Sequence, residues 1–371
     1  GMRMPGPGRP GRVVRWLRRS SRQLRRLSTP ARDAPLAAID RARIDLCEAA
    51  STGLFAHDLT ASSAFQARML RLALEARDPD RIARAVALEA LHHALGGATT
   101  AALTAQTLAR ARSLAARGEE PATARLIDYV HAASHLLRGA FDAAARACEA
   151  LRPEYDHRAR ERAWERTNLR AHALTCAVIR GAYTEVASEL SAWIADARGR
   201  GDTYAEALAT RLATWIALAR GDAGALPKIQ EARALYRDAP RGQLSTQLAL
   251  TEAAARVATG DRAAAGDILD QLWAPMTRAA VWELQALRVE AHFIRGLARL
   301  GRGDAGDDVA ALERERFTGA AELAAVLRAG QLRSEGPELA QRRLDEATTD
   351  LARAGLQLHA SLARRLASPR A

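Results

Sequence analysis

The pentapeptide RGAFD at positions 138–142 decides how the chain is divided, because it recurs as RGAYT at 180–184. Shorter copies follow as RGD at 220–222, TGD at 259–261 and RGD at 302–304. Each copy ends one apolar helix-like run and begins another. A glycine after a helix adopts the left-handed conformation that side chains disfavour, and the residue behind it can cap the next helix. The period of about 40 residues therefore predicts a stack of helical hairpins.

The composition also favours an all-α chain. Aromatic residues make up only 4% of the 371 residues, and alanine, leucine and arginine are abundant, as in closely packed helices. We predict an all-α right-handed superhelical solenoid over residues 33–371, preceded by a disordered or helical basic arm at 1–32. The solenoid is divided into irregular N-terminal hairpins at 33–138, regular repeats at 139–303 and capping helices at 304–367.

Each regular hairpin is predicted to begin with a long helix and to end with a shorter one after the marker glycine. In the last regular unit, the short helix is expected at about 262–273 and the next long helix at about 278–301. The clearest predicted helix starts are Asp78-Pro79 and Glu120-Pro121. Each combines an acidic side chain near the free amides with a proline that needs no amide proton.

The net charge of +12 is concentrated in the basic arm. Residues 1–32 contain ten arginines and no acidic residue, so the remainder of the chain is nearly neutral. Seven arginines flank a narrow apolar stripe on one predicted helix, and they are Arg12, Arg15, Arg18, Arg19, Arg22, Arg25 and Arg26. We interpret the arm as a charged linker, while contact with nucleic acid, an anionic membrane or an acidic protein stays open.

The cysteines and the hydrophobic runs indicate the cellular compartment in which the protein is expected. Cys47, Cys148 and Cys176 each lie in an apolar helical run, which predicts buried thiols in a reduced, cytoplasmic protein. No run of eighteen apolar residues is free of charge, so no transmembrane helix is predicted. His131 and His135 are four residues apart on a predicted helix, but no third ligand is in view. We therefore predict neither a metal site nor a cofactor.

The repeat pattern resembles the tetratricopeptide superfamily, although its unit is several residues longer than the usual length of about 34. Individual runs resemble the helical-repeat region that follows the catalytic domain in large bacterial serine/threonine protein kinases. These runs are Phe65–Arg68, Leu70–Arg77, Asp80–Ala85, Arg200–Ala205, Leu287–His292, Gly355–Leu358 and Ala363–Leu366. The resemblance spans roughly residues 35–367 and implies a regulatory, protein-binding module of a bacterial kinase-type signalling system.

The catalytic motifs of such kinases are missing from this sequence. It contains no His-Arg-Asp loop, no Asp-Phe-Gly and no phosphate-binding loop, and its single lysine, Lys228, lacks the glycine spacing and the hydroxyl residue of the latter. We therefore predict no catalytic residue, and a kinase name would be inherited from the family without the activity. The expected partners are proteins, such as a kinase or an NTPase.

The predicted binding site is the concave groove, which the first helices of successive hairpins line in tetratricopeptide folds. The candidate side chains are polar and suit carboxylate or phosphate groups on a peptide. They are Arg166, Asn168 and Arg170 in one unit, Tyr204 and Arg211 in the next, and Gln243 and Gln247 in the third. Alternatively, these residues form the solvated faces of amphipathic helices. A repeat that closes around a small molecule stays open as a further alternative.

Overall fold

The computed structural model describes residues 36–157, 163–237, 242–300, 305–334 and 336–367, and the basic arm lies outside them. Within these ranges the chain forms 17 α-helices and no β-strand. The helices are α1 (Ala38–Leu54), α2 (Leu59–Ala76), α3 (Pro79–Ala94), α4 (Ala101–Ala115), α5 (Pro121–Leu137), α6 (Phe141–His157), α7 (Ala163–Ile179), α8 (Tyr183–Gly199), α9 (Thr203–Arg220), α10 (Ala225–Leu235), α11 (Gln243–Ala258), α12 (Arg262–Arg278), α13 (Gln285–Arg299), α14 (Gly306–Arg314), α15 (Ala320–Gln331), α16 (Pro337–Arg353) and α17 (Gln357–Leu366). The predicted all-α helical-repeat solenoid is thus confirmed.

The marker glycines reverse the chain as predicted. Gly139, Gly181, Gly221 and Gly260 adopt φ angles of 79°, 87°, 73° and 88°, in the left-handed region that favours glycine. The aspartate after the fourth glycine caps the next helix, since the Asp261 carboxylate accepts a hydrogen bond from the Ala264 amide at 3.1 Å. The fifth predicted marker, Gly303, lies outside the described residues.

The two predicted proline starts differ in their caps. Asp78 accepts a hydrogen bond from the Arg81 amide at 2.9 Å, so it caps α3. Glu120 makes no side-chain cap bond at the start of α5. Its carboxylate instead pairs with the Arg81 guanidinium at 3.2 Å. Glu120 therefore joins α5 to α3. The start of α5 is supported by the proline at the first helical position and by Asp80, whose Oδ2 accepts hydrogen bonds from the Glu119 and Glu120 amides at 2.8 and 3.2 Å.

The last regular unit departs from the predicted helix bounds. α12 continues past Trp273 and Pro275 to Arg278, and a short 3₁₀ helix covers Ala280–Glu283 before α13 begins. The break coincides with a contact to the N-terminal hairpins, because the Gln285 amide donates a hydrogen bond to the Leu95 carbonyl at 2.9 Å. In a continuous helix from 278, this amide would instead donate to a carbonyl four residues earlier in the same helix.

Contacts between distant segments bridge the concave side of the solenoid. The turn between α1 and α2 reaches the end of α10, where the Tyr236 hydroxyl lies 2.8 Å from His57 Nδ1. The residues after α3 reach α13, where the Ala98 amide donates to Gln285 Oε1 at 2.8 Å. We call these contacts, together with the Gln285–Leu95 bond, the N-terminal bridge. The concave side is therefore not an open groove along its whole length.

The C-terminal helix α17 lies across the same side. It packs against α7, α9 and α11, which are the first helices of three successive hairpins. Leu358 and Leu362, one helical turn apart, are 6% and 3% exposed. The Arg365 guanidinium donates a hydrogen bond to the Ala219 carbonyl at 2.8 Å, at the end of α9. The helix predicted to cap the stack thus also forms part of its interior wall.

A central channel as the candidate binding site

The concave side encloses a cavity between α7, α9, α11, α13 and α17, which we call the central channel. Its volume is about 210 Å³, many times the roughly 10–15 Å³ that one water molecule requires. Most of its wall is apolar, and the lining includes Leu136, Ile179, Leu208, Leu212, Phe293 and Leu358. An apolar cavity with a few polar groups is the usual form of a ligand site in a protein.

Five of the seven predicted site residues line this channel, and they are Asn168, Tyr204, Arg211, Gln243 and Gln247. The structure does not bring Arg166 and Arg170 to the same place. Successive helical residues are rotated by about 100°, so side chains two positions apart point to opposite sides of a helix. Arg166 and Arg170 therefore lie on the face of α7 opposite Asn168, in a separate pocket against α6 and α8.

A chain of hydrogen bonds fixes the first polar group of the channel. The Tyr204 hydroxyl donates to Asn168 Oδ1 at 2.9 Å, and Asn168 Nδ2 donates to the Trp164 carbonyl at 2.9 Å. The rings of Tyr204 and His57 lie 5.7 Å apart, so the N-terminal bridge supports this group from outside. Burial raises the pKa of Tyr204 well above its usual value, which keeps the hydroxyl neutral.

The only ion pair among the described channel residues is satisfied within the protein. Arg211 donates to both carboxylate oxygens of Glu290, at 2.7 and 2.8 Å, and its Nε donates to Thr251 Oγ1 at 3.1 Å. Arg211 is only 8% exposed, and its Nη2 donates to both Glu290 oxygens, so the charge-assisted hydrogen bonds compensate for the desolvation of both charges. This ion pair therefore adds no net charge to the wall of the channel.

Sequence reasoning missed two histidines in the channel wall, His172 and His359. The Nδ1 atoms of both are buried and have no hydrogen-bond partner among the described residues. Burial lowers the pKa of each ring to about 4, so both are neutral at pH 7. His172 follows Asn168 by one helical turn, a spacing that signalled the shared face. His359 lies on α17, whose docking position no local pattern reveals.

The histidine pair at 131 and 135 faces a different environment. Their ring centroids are 4.5 Å apart, and Arg138 Nη2 donates to His135 Nδ1 at 2.5 Å. Burial, followed by the Arg138 charge, lowers the pKa of His135 to about 4.

The described residues contain no group of three His, Cys, Asp or Glu side chains placed to hold a metal ion. No described helix has both the length and the apolar character needed to cross a bilayer.

The comparisons with known proteins support the fold. No protein-family model matches the chain, and a search of curated proteins finds no match. Among solved structures, the chain is similar to a Rap protein complexed with competence and sporulation factor. The TM-score is 0.60 with 14% sequence identity, and the match covers 93% of this chain and 98% of that chain. At this identity the likeness shows the tetratricopeptide-like helical-repeat fold alone.

Proposed function

We propose that the protein is a non-catalytic regulatory module that binds a short, largely uncharged segment of a partner protein in the central channel. The observation that carries this proposal is the convergence of polar side chains from α7, α9 and α11 on one apolar cavity. These helices occupy equivalent positions in successive hairpins. Polar groups repeated at hairpin spacing suit the repeated amides of a polypeptide.

The chemistry of the lining favours an uncharged segment. Arg211 and Glu290 neutralise each other, so a charged ligand group would enter the apolar channel without a free counter-ion. The side-chain amides of Gln243 and Gln247 make no hydrogen bond to other described residues and each can both donate and accept. Apolar side chains of the segment would contact the leucine-rich wall, while its backbone would bond to these amides.

The regulatory context rests on two further observations. Runs such as Leu287–His292 resemble the repeat region of bacterial serine/threonine kinases, which favours a kinase or an NTPase as the source of the segment. A Rap protein of the same fold is complexed with competence and sporulation factor, so this architecture can hold a bound factor. Both bear on partner identity and neither on the channel geometry.

A peptide library displayed on phage tests the channel directly. We expect peptides selected on the intact protein to lose at least about tenfold in affinity when Thr175→Trp fills the cavity, because the apolar contacts are then excluded. Gln247→Ala should weaken the same peptides through the lost hydrogen bonds. Arg342→Ala, on an exposed position of α16, is the matched control and should leave the affinity unchanged.

Peptides that bind the Thr175→Trp protein as tightly as the unmodified one would place the partner site elsewhere. Circular dichroism and thermal unfolding of each variant establish that a loss of affinity does not come from unfolding. Affinities are measured at two salt concentrations, since an uncharged segment should show little salt dependence.

Small-molecule sensing is a second candidate function, which the bridged concave side favours. The N-terminal bridge and α17 both restrict the channel, and a compact ligand fits a restricted cavity better than a protein does. A compound library screened by thermal unfolding would identify such a ligand, with Thr175→Trp as the control that removes the space. The basic arm is tested separately, by deleting residues 1–32 and measuring salt-dependent binding to nucleic acid and anionic vesicles.

A further inference from the structure

A second polar pocket lies between α6, α7 and α8, away from the central channel. Its volume is about 280 Å³, and four guanidinium groups line it. We call it the arginine pocket and define it by Arg152, Tyr155, Arg166, Thr167, Leu169, Arg170, Trp193, Asp196 and Arg200. Two of its arginines are the residues that sequence reasoning had assigned to the concave groove.

Two of the guanidinium groups are held side by side by a shared carboxylate. Arg152 Nη2 and Arg170 Nε donate to the same oxygen of Glu189, at 2.6 and 3.2 Å. The Arg170 guanidinium also lies 5.0 Å from the ring centroid of Trp193, whose side chain is 2% exposed. This cation–π contact adds to the fixed orientation. These contacts place the two guanidinium groups side by side at the wall of the pocket.

The charges of the pocket do not balance. Arg200 pairs with Asp196 at 2.8 Å and lies 3.6 Å from Asp202, while Glu189 serves both Arg152 and Arg170. Arg166 has no hydrogen bond or ion pair within the described ranges of the chain. Its guanidinium is the one cation of the pocket that pairs with no described carboxylate, and Glu189 supplies one charge for two further guanidinium groups.

We propose that the arginine pocket binds the phosphoryl group of a phosphate monoester. Guanidinium groups form bidentate hydrogen bonds with phosphate oxygens, and a dianion suits a site with an uncompensated cation. Arg166 would supply that charge, while Arg152 and Arg170 would turn from Glu189 to the ligand. A ligand carboxylate would only repeat the contact that Glu189 already makes. The pocket lies apart from the central channel, so the failure of this proposal would leave the channel proposal intact.

Inorganic phosphate is the first probe, added to the intact protein at constant ionic strength with chloride as the balancing anion. We expect phosphate to raise the midpoint of thermal unfolding in a saturable manner. Arg166→Ala should raise the apparent Kd by about tenfold, the effect of one charge-assisted hydrogen bond. Arg342→Ala, which removes an exposed arginine elsewhere, should have no effect.

Glu189→Gln tests the same pocket with the opposite sign. The substitution removes the carboxylate that competes with the ligand for Arg152 and Arg170. It should therefore lower the apparent Kd for phosphate several-fold, which a variant that merely disturbs the fold would not do. Circular dichroism of both variants confirms that the helices are retained.

Two further ligands distinguish a phosphorylated protein from a small metabolite as the source of the phosphoryl group. One is a phosphoserine peptide with alanine on both sides, measured against its unphosphorylated form, and the other is adenosine monophosphate. Tighter binding of the peptide than of inorganic phosphate identifies a phosphorylated partner, whereas tighter binding of the nucleotide identifies a small metabolite. The proposal is overturned if phosphate stabilises no more than chloride, if Arg166→Ala behaves like Arg342→Ala, or if Glu189→Gln weakens binding.

Discussion

Glu89 carries a carboxylate that the fold buries without a hydrogen-bond partner. The residue lies on α3 with 0% of its surface exposed. Neither carboxylate oxygen has a hydrogen-bond partner among the described residues, and His93 Nε2 lies 3.9 Å from Oε1. Burial raises its pKa from 4.5 to about 8, against a smaller opposing effect of the Arg110 charge. The nearby rings of His92 and His93 are held neutral, because burial lowers their pKa values to about 4.

Glu89→Gln should therefore change the pH dependence of stability. The folded protein keeps a proton that the unfolded chain releases above its pKa of 4.5, so the free energy of unfolding falls as the pH rises toward 8. The glutamine variant lacks this loss and should be more stable at pH 8 by an amount on the order of a few kcal/mol. Urea unfolding of both proteins between pH 6.5 and 9 measures the difference, because the titration of His92 and His93 in the unfolded chain is common to both proteins and cancels.

Glu149→Gln is the matched control, because Glu149 is an exposed glutamate on α6. Its stability curve should run parallel to that of the unmodified protein. If the curves of the unmodified protein and Glu89→Gln also run parallel, the Glu89 carboxyl group is not protonated in the fold.

Residue chemistry was predictable from the sequence only where burial follows from a local pattern. Cys47, Cys148 and Cys176 lie in apolar runs, and all three are buried free thiols as predicted. Glu89 lies among apolar residues as well, but its helix is buried on nearly every face by contacts from other helices. The spacing of residues within α3 does not reveal that other helices also cover the face on which Glu89 lies.

The turn after α9 shows how an element is joined to a distant one. Gly221 has a φ of 73°, and a methyl group there would lie 2.1 Å from Arg365 Nη1 of α17. Gly260 occupies the equivalent turn after α11 with a φ of 88° and has nothing within 4 Å of such a methyl group. The two glycines therefore share the backbone requirement and differ only in the contact with α17.

Gly221→Ala should destabilise the protein more than Gly260→Ala. Both variants should lose about 1 kcal/mol or more of unfolding free energy, because alanine is strained in the left-handed conformation. Only the first also displaces Arg365 from the Ala219 carbonyl, which should cost about 1 kcal/mol more. Chemical unfolding of both variants measures the difference. The double variant with Gly221→Ala and Arg365→Ala should lose less free energy of unfolding than the sum of the two single losses. If the losses are fully additive, the contact between the two residues does not stabilise the protein.

The helix ends were predictable where glycine, proline or aspartate sets them. Gly139 and Asp78 act through their own backbone and side-chain geometry, which the sequence contains in full. The break between α12 and α13 depends on the Leu95 carbonyl, which accepts the Gln285 amide from another part of the chain. A partner so far away leaves no signal in the local sequence.

The whole molecule depends on the N-terminal bridge, and Gly242 tests it. A methyl group at Gly242 would lie 2.2 Å from the His57 carbonyl oxygen, which is backbone and cannot rotate away. Its φ is −117°, so alanine meets no backbone penalty there. Gly242→Ala should separate the turn before α2 from α11, and hydrogen exchange at residues 54–58 should accelerate at least about tenfold.

Gly266→Ala is the control for this prediction, because Gly266 lies within α12 with nothing within 4 Å of an added methyl group. It should be neutral or stabilising, as alanine is the better helix former. Unchanged exchange at 54–58 in Gly242→Ala would mean that the bridge does not restrain this turn.

The lining of the channel was predictable to the extent that helical spacing decides it. Tyr204 and Arg211 are seven residues apart, Gln243 and Gln247 four, and both pairs share a face in the structure. The same rule separates Asn168 from Arg166 and Arg170. The bridge and the docking of α17 depend on how the whole superhelix curves, which no single repeat encodes.

The N-terminal bridge also has a kinetic consequence. In an open repeat array each unit touches only its neighbours, so the array can fold from any point and fray from its ends. Here the Tyr236–His57 and Ala98–Gln285 contacts join residues 179 and 187 positions apart. Closing a loop of that length costs entropy before any contact rewards it, which slows folding. Once closed, the loop ties the first hairpins to the middle of the array, so the chain should unfold as one cooperative unit and not by unzipping from its N-terminus.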